Sequence, residues 1–257
     1  MEKIHYTAPM LVPFTAGGVV ALAAGGYLYA GMVPGSQIFG RTLVAGNDPD
    51  EFALTYDDGP NDAWTEQILE ILARHEVHAA FFVIGRFARE RVALIRRIRA
   101  AGHVVGNHTW THPLLLFKPL SRIREELAST NAVLEDALGE KVEYFRPPHG
   151  ARRPDILRAV REMGMVPVQW NAMGFDWKPT TPERVLANLD RGIRRNRRRG
   201  RGSNLLMHDG GQAGIGQDRS HTVAATVTLL EKWQGRVRFV TIDQWSEGAE
   251  HRAQSSL

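Results

Sequence analysis

Residues 52–60 read Phe52-Ala53-Leu54-Thr55-Tyr56-Asp57-Asp58-Gly59-Pro60, an apolar run that stops on two adjacent acids and a turn. Phe52 to Tyr56 has the length and side-chain content of a strand buried on both faces. Two neighbouring carboxylates at a strand end repel each other unless a cation or hydrogen-bond donors compensate. Side chains alternate along a strand, so one acid can hold a metal while its neighbour faces a substrate. Asp-Gly and Gly-Pro are also turn formers, and Thr55 to Pro60 taken alone reads equally well as a plain turn.

Outward from this stretch, short apolar runs alternate with amphipathic ones. Ala79 to Ile84, Val104 to Asn107, Tyr144-Phe145, Met165 to Trp170, Asn204 to Met207 and Val237 to Ile242 read as strands. Helices are expected over Trp64 to His75, Val92 to Ala101, Ser121 to Leu138 (opened by Ser121), Pro182 to Arg198 and Thr222 to Trp233. Such alternation implies an α/β fold of parallel strands joined by right-handed crossovers. Roughly seven units suit a small (β/α) barrel better than a short open sheet. No linker or repeat divides residues 47–246, which read as one catalytic-sized domain. In parallel barrels, chemistry collects just past the C-terminal ends of the strands.

Those ends carry polar clusters. After the third strand comes His108-Thr109-Trp110-Thr111-His112-Pro113. Two histidines four apart fall on one face of a helical turn and can chelate one divalent ion. Alone the pair signifies little; an acid from another strand end makes a two-histidine, one-carboxylate set with a position left for water. Later ends add Arg146-Pro147-Pro148-His149-Gly150, Asp176-Trp177 and Leu206-Met207-His208-Asp209. Singly, Arg146 reads as a surface ion pair, Trp177 as a core residue and His208 as a satisfied histidine. Five clusters in strand order are hard to explain that way.

Together they resemble the five motifs of carbohydrate esterase family 4, the NodB-homology polysaccharide deacetylases, over Glu51 to Thr241. The resemblance implies a distorted (β/α) barrel of the polysaccharide-deacetylase type that removes acetyl groups from N-acetylated sugars. It implies a divalent metal, usually zinc, held by Asp58, His108 and His112. Asp57 is similar to the family's catalytic base, Arg146 to the arginine that holds it, and His208 to the catalytic acid tuned by Asp176. The backbone N–H of His149 would be the oxyanion donor, and Trp177 and Leu206 would wall the acetyl pocket. Cobalt, nickel and manganese suit these ligands as well, whereas histidines disfavour magnesium and calcium. Three departures stand out: Tyr56 replaces a phenylalanine, His149 an aromatic residue, and Met173 an acid three residues before Asp176.

The flanks read differently. Ile4 to Gly40 contains no charged side chain, and Met10 to Val33 is a 24-residue apolar stretch. Residues 1–46 are therefore expected to hold a membrane-spanning anchor, with a cleaved signal peptide or a Gly/Ala-rich segment packed on the domain as alternatives. Lys3 favours a cytoplasmic N-terminus, which would place the catalytic domain extracytoplasmic, or secreted if the segment is cleaved. Residues 247–257 are a polar tail.

The chain has no cysteine, which excludes disulfides, thiolate zinc ligands and thiol nucleophiles. Its formal charge of +4 comes from one place: Arg191 to Arg201 holds seven arginines and no acid. Without those seven, 25 basic residues face 28 acidic ones, a balance of −3. A solvated helix end explains such a cluster; so does contact with anionic lipid or an anionic glycan. No nucleic-acid partner is expected, because no aromatic residues interleave the arginines.

The leading function is metal-dependent deacetylation of an N-acetylated glycan such as peptidoglycan, a chitin-like oligomer or a surface polysaccharide. The alternatives are deformylation or deacetylation of a polyprenol-linked sugar, and a non-catalytic glycan-binding module. A small-amide hydrolase is a weaker contender.

Overall fold

The computed structural model describes residues 12–246; for residues 12–20 only the backbone and Gly18 are described. The polar tail and the start of the expected apolar segment lie outside the described residues. In chain order the helices are α1 (Val12–Met32), α2 (Asp62–Arg74), α3 (Gly85–Glu90), α4 (Val92–Ala100), α5 (Leu120–Leu138), α6 (Pro154–Glu162), α7 (Pro182–Arg197) and α8 (Ser220–Trp233). The strands are β1 (Glu51–Gly59), β2 (Ala80–Val83), β3 (Val104–Asn107), β4 (Tyr144–Phe145), β5 (Val166–Pro167), β6 (Ala172–Met173), β7 (Ser203–His208) and β8 (Arg238–Phe239).

All strand pairs are parallel, in the order β5-β4-β3-β2-β1-β7-β6, with β8 beside the start of β1. The sheet curls into a distorted (β/α) barrel left open between β5 and β6. Beside β5, Leu43 exchanges backbone hydrogen bonds with Pro167 and Gln169, so the N-terminal stretch covers that edge.

Strand β1 is central and buried on both faces, which is why its sequence is a continuous apolar run. Its alternate residues serve two cores. Phe52, Leu54 and Tyr56 join the layer between sheet and helices with Ile68, Leu72, Phe81 and Leu229. Ala53 faces the barrel interior with Ala80, Phe82, Tyr144 and Val168. On that same face Thr55 and Asp57 line up with Leu206 and His208 of β7. The interior therefore changes from apolar to polar on moving toward the strand C-termini.

Several boundaries differ from expectation for identifiable reasons. Helix α5 begins at Leu120 behind Pro119, and no side chain caps it, so Ser121 is not its cap. Helix α7 starts where expected, because Thr181 accepts a hydrogen bond from the Arg184 N–H and Pro182 presets the first turn. Of the expected strand from Met165 to Trp170, Val166 and Pro167 pair with β4, and Val168 forms a single bridge with Leu43.

The expected anchor in residues 1–46 falls partly outside the described residues. Among the described residues no helix is long and apolar enough to cross a membrane. The last turn of α1 is docked on the domain: Ala30 is buried and Gly31 abuts the Arg152 carbonyl. The docking is made by Arg152, a fully buried guanidinium that donates to the carbonyls of Gly150, Val33 and Ser36. Replacing it with Gln leaves buried carbonyls without donors, about 1–3 kcal/mol locally. Arg152→Gln is expected to speed proteolytic nicking between Val33 and Arg41, read by mass spectrometry of limited digests, while the barrel still unfolds cooperatively.

Candidate active site

The ends of β1, β3, β4, β6 and β7 bring all ten candidate residues to one end of the barrel. The local cause is a bulge in β1. Pairing with β2 slips between Asp57 and Gly59, and Asp58 adopts a left-handed φ of 72°. This breaks the strict alternation expected of the two acids: both carboxylates reach the His108 ring, at 3.7 Å for Asp57 Oδ2 and 3.4 Å for Asp58 Oδ1. The bulge needs room behind it. A Cβ on Gly210 would lie 2.2 Å from the Asp58 carbonyl oxygen, and one on Gly59 equally close to the Asp209 carboxylate.

His108 and His112 are not on a helix. They sit in an extended loop after β3, turned by left-handed conformations at Thr109 and His112. The loop is pinned by Asn107 Oδ1, which accepts from the Thr109 N–H, and by Glu126, which accepts from Thr111. The turn brings His112 Nε2 to 3.2 Å from Asp58 Oδ1, and its ring centroid to 4.9 Å from that of His108.

These three residues fit a divalent cation. Their ligand atoms lie within 4.8 Å of one another, and all three side chains are buried. A tetrahedral ion with bonds near 2.0–2.1 Å separates its ligands by about 3.3 Å, close to the two carboxylate–imidazole distances. The His108 Nδ1 meets the Arg146 carbonyl at 2.7 Å, and the His112 Nδ1 meets Gln212 Oε1 at 2.6 Å. Both partners accept, so in the neutral rings the proton sits on Nδ1 and the Nε2 lone pairs face Asp58. Burial pushes His112 down to about 3, which keeps its ring neutral. Asp58 Oδ1 has no hydrogen-bond donor of its own. Three electron pairs converge there, an arrangement that a cation relieves.

Asp57 stands beside this cluster, held from below. Arg146 is completely buried and donates through Nη1 to Asp57 Oδ1 at 2.7 Å and to Thr55 Oγ1 at 2.9 Å. Its other terminal nitrogen donates to the Gln169 carbonyl, and its plane lies 4.1 Å from the Phe82 ring centre. Across the β1–β7 pair, His208 occupies the same register as Asp57. Its Nδ1 donates to Asp176 Oδ1 at 2.8 Å, and its backbone N–H donates to Asp176 Oδ2 at 2.7 Å. Burial opposes charge on His208, but the Asp176 carboxylate overrides it and moves the ring up to about 9. His208 is thus an imidazolium at neutral pH.

The remaining candidates line the rim. His149 has a left-handed φ of 58°, and its ring packs edge-on against His112. Trp177 is partly exposed, with its ring 5.4 Å from that of His208. Leu206 belongs to neither core cluster and pairs in register with Thr55 and Met173. Several contributors lie outside the recognised motifs: Gln212, Thr222, which donates to Asp176 Oδ2, and Asn204, whose Oδ1 receives the Thr55 hydroxyl. Asp209, next to His208, faces inward, accepts from Thr65, and is pushed up to about 7 by burial.

Comparison with known proteins agrees with this architecture. The family model described as Polysaccharide deacetylase matches residues 45–168. A chitooligosaccharide deacetylase of Azorhizobium caulinodans is 35% identical over 175 residues, 68% of this chain and 80% of the relative. The solved Bc1960 peptidoglycan N-acetylglucosamine deacetylase superposes with a TM-score of 0.71 at 29% identity, covering 79% of this chain and 91% of that one. A carbohydrate esterase family 4 pseudoenzyme from Bacillus anthracis, BA3943, superposes with a TM-score of 0.66 at 28% identity, covering 76% and 65%. The chain belongs to carbohydrate esterase family 4, the NodB-homology polysaccharide deacetylases. It is a hydrolase of that class, and the class depends on a divalent metal.

Two outcomes test the geometry. In Asp176→Asn the charge that raises His208 is gone, and the imidazole titration followed by NMR should fall from about 9 by roughly one to two pH units. Gln212→Leu frees the His112 ring to turn, and the affinity for zinc, measured by competition with a chelating dye, should drop about 10–100-fold.

Proposed function

We propose that the protein removes N-acetyl groups from an N-acetylated glycan, with Asp57 as general base and His208 as general acid. One observation carries the reading. Asp57 and His208 stand side by side at one register beside the three-ligand cluster, and each has its own counter-ion, Arg146 and Asp176. In this reading Asp58, His108 and His112 hold the metal, zinc by ligand chemistry, with cobalt, nickel or manganese as substitutes. When bound, a divalent ion there supplies Lewis acidity toward the amide carbonyl and toward water.

The chain's own groups do the rest. Asp57 Oδ2 takes the proton of the attacking water while Arg146 keeps Oδ1 engaged and the carboxylate oriented. The backbone N–H of His149 donates to the oxygen that becomes negative as the carbonyl turns tetrahedral. His208, protonated below about pH 9, passes its proton from Nε2 to the departing amine nitrogen as the carbon–nitrogen bond breaks. Acetate and a free amino sugar result. Trp177 and Leu206 border the space for the acetyl methyl group, which a polar wall would leave poorly filled. With Met173 where an acid is usual, that border is more apolar.

Retention of the base, the acid, both counter-ions and the complete ligand set disfavours a purely glycan-binding module, which needs none of the proton-transfer groups. Placement outside the cytoplasm, by anchor or by secretion, follows in this proposal from the uncharged run before Arg41 and from the glycan substrate class. Acetate release from N-acetylglucosamine oligomers is the test. Asp57→Asn and chelation should each lower kcat by at least about 100-fold, and zinc should restore only the chelated wild type. An intact, zinc-loaded wild type that binds such oligomers but releases no acetate would sink the proposal.

A further inference from the structure

A second cavity lies away from the metal ligands, along the open seam of the barrel. It has a volume of about 1010 Å³ and is bounded by the stretch from Val33 to Asn47 on one side and by β6 and α7 on the other. Five arginines line it: Arg41, Arg191, Arg195, Arg199 and Arg201. No aspartate or glutamate lines it. The spacing of Arg191, Arg195 and Arg199 puts them along one side of α7 and its C-terminal end.

These arginines differ from their neighbours in the same run. Arg197 points elsewhere, pairs with Asp50 at 2.7 Å and lies over the Trp233 ring. None of the five cavity arginines forms an ion pair among the described residues. They reach only neutral acceptors: Arg191 the Asn188 side chain, Arg195 the Asn171 carbonyl, and Arg201 the Asn47 side chain at 2.6 Å. A helix C-terminus accounts for one or two cations. It does not account for Arg41, which comes from the far side of the cavity. Five uncompensated guanidinium groups around one concave space focus a positive potential and favour an oxyanion ligand.

The other lining residues narrow the class of ligand. Tyr29 and Val33, at the end of α1, border the cavity and are exposed, as are Leu22 and Leu28 further along the same helix. Exposed, uncharged residues at the end of α1 and the arginines thus border one cavity. That pairing suits a molecule with an apolar tail joined to a phosphate. Toward the strand C-termini, the cavity ends at Phe175, whose ring lies 5.3 Å from that of Trp177, which in turn contacts His208. The arginines lie toward the opposite end of the seam, where Arg201 meets Asn47 just before β1, so a phosphate bound among them sits apart from the active-site mouth.

We propose that the arginine-lined seam is a binding site for the phosphate headgroup of an anionic lipid. The site stands on its own geometry and does not require the deacetylase reading.

The test uses the full chain and reads binding rather than activity. Co-sedimentation with phosphatidylglycerol vesicles, phosphatidylcholine vesicles as control, is measured alongside quenching of Trp170 and Trp245 by inorganic diphosphate; both tryptophans line the cavity. Binding to the anionic vesicles only is expected. It should weaken by at least about tenfold in the Arg191→Gln, Arg195→Gln, Arg199→Gln triple variant and stay unchanged in Arg197→Gln. The triple lysine variant keeps the charge and guards against misfolding; it should retain part of the binding, with steeper loss as salt rises. Unchanged acetate release from soluble oligomers by the variants, where wild type is active, shows an intact barrel. Diphosphate binding with no vesicle binding would overturn the lipid assignment. Binding of neither probe, or binding equal in wild type and the triple glutamine variant, would overturn the site.

Discussion

Everything at the catalytic end of the barrel hangs on Arg146. Its guanidinium lies buried in the interior and holds the Asp57 carboxylate of β1, 89 residues earlier in the chain. Its carbonyl takes the Nδ1 proton of His108. One residue after β4 thus fixes the orientation of the Asp57 carboxylate from below and of the candidate ligand His108 from the side. Burying a guanidinium is expensive unless its protons are used. Here Thr55, Asp57, Gln169 and Asn204 accept from it, and the Phe82 ring covers its face. Removing either member of the pair would strand a charge in the core, so the geometry of Asp57 is tied to the stability of the barrel itself.

The polar end is possible because the two halves of β1 do different work. From Phe52 to Tyr56 the strand is regular and its two faces fill two apolar cores. At Asp57 and Asp58 the regularity ends, and a left-handed aspartate directs a second carboxylate to the side where the first already points. Such a conformation is tolerated at aspartate more readily than at branched residues. It persists because Gly59 and Gly210 leave no side chain in the way. The metal cluster is therefore a product of broken strand geometry rather than of strand alternation.

Much of this was legible beforehand. Parallel strands buried on both faces leave uninterrupted apolar runs, and the runs at Phe52, Ala79 and Val104 marked β1 to β3 to within a few residues. Polar residues at strand ends form compact sequence clusters, so the ten candidates that the barrel gathers at one end could be named. What stayed hidden has a common physical origin in long-range contact. Gln212 reaches His112 across 100 residues and Thr222 reaches Asp176 across 46, with no local pattern to announce either. The short β6 has two residues and no periodicity to detect. The histidine pair looked helical by spacing, yet left-handed turns at Thr109 and His112 produce the same convergence from a loop. For the N-terminal segment, hydropathy reported composition only; the docking of its last turn depends on Arg152, more than 100 residues away.

The likeness to both active deacetylases and a pseudoenzyme shows that this barrel by itself does not decide chemistry. In the proposed mechanism the chemistry rests on the charge arrangement above the sheet. In the proposed roles, base and acid carry opposite charge on directly adjacent strands, close enough to neutralise each other if left alone. Separate counter-ions prevent that: Arg146 engages Asp57 from the interior, and Asp176 engages His208 from the neighbouring β6–α7 connection. Because the two counter-ions arrive on different elements, either can be altered without moving the other. The arrangement therefore rests on two buried pairs held by different elements, and breaking either would leave a charge unpaired in the interior.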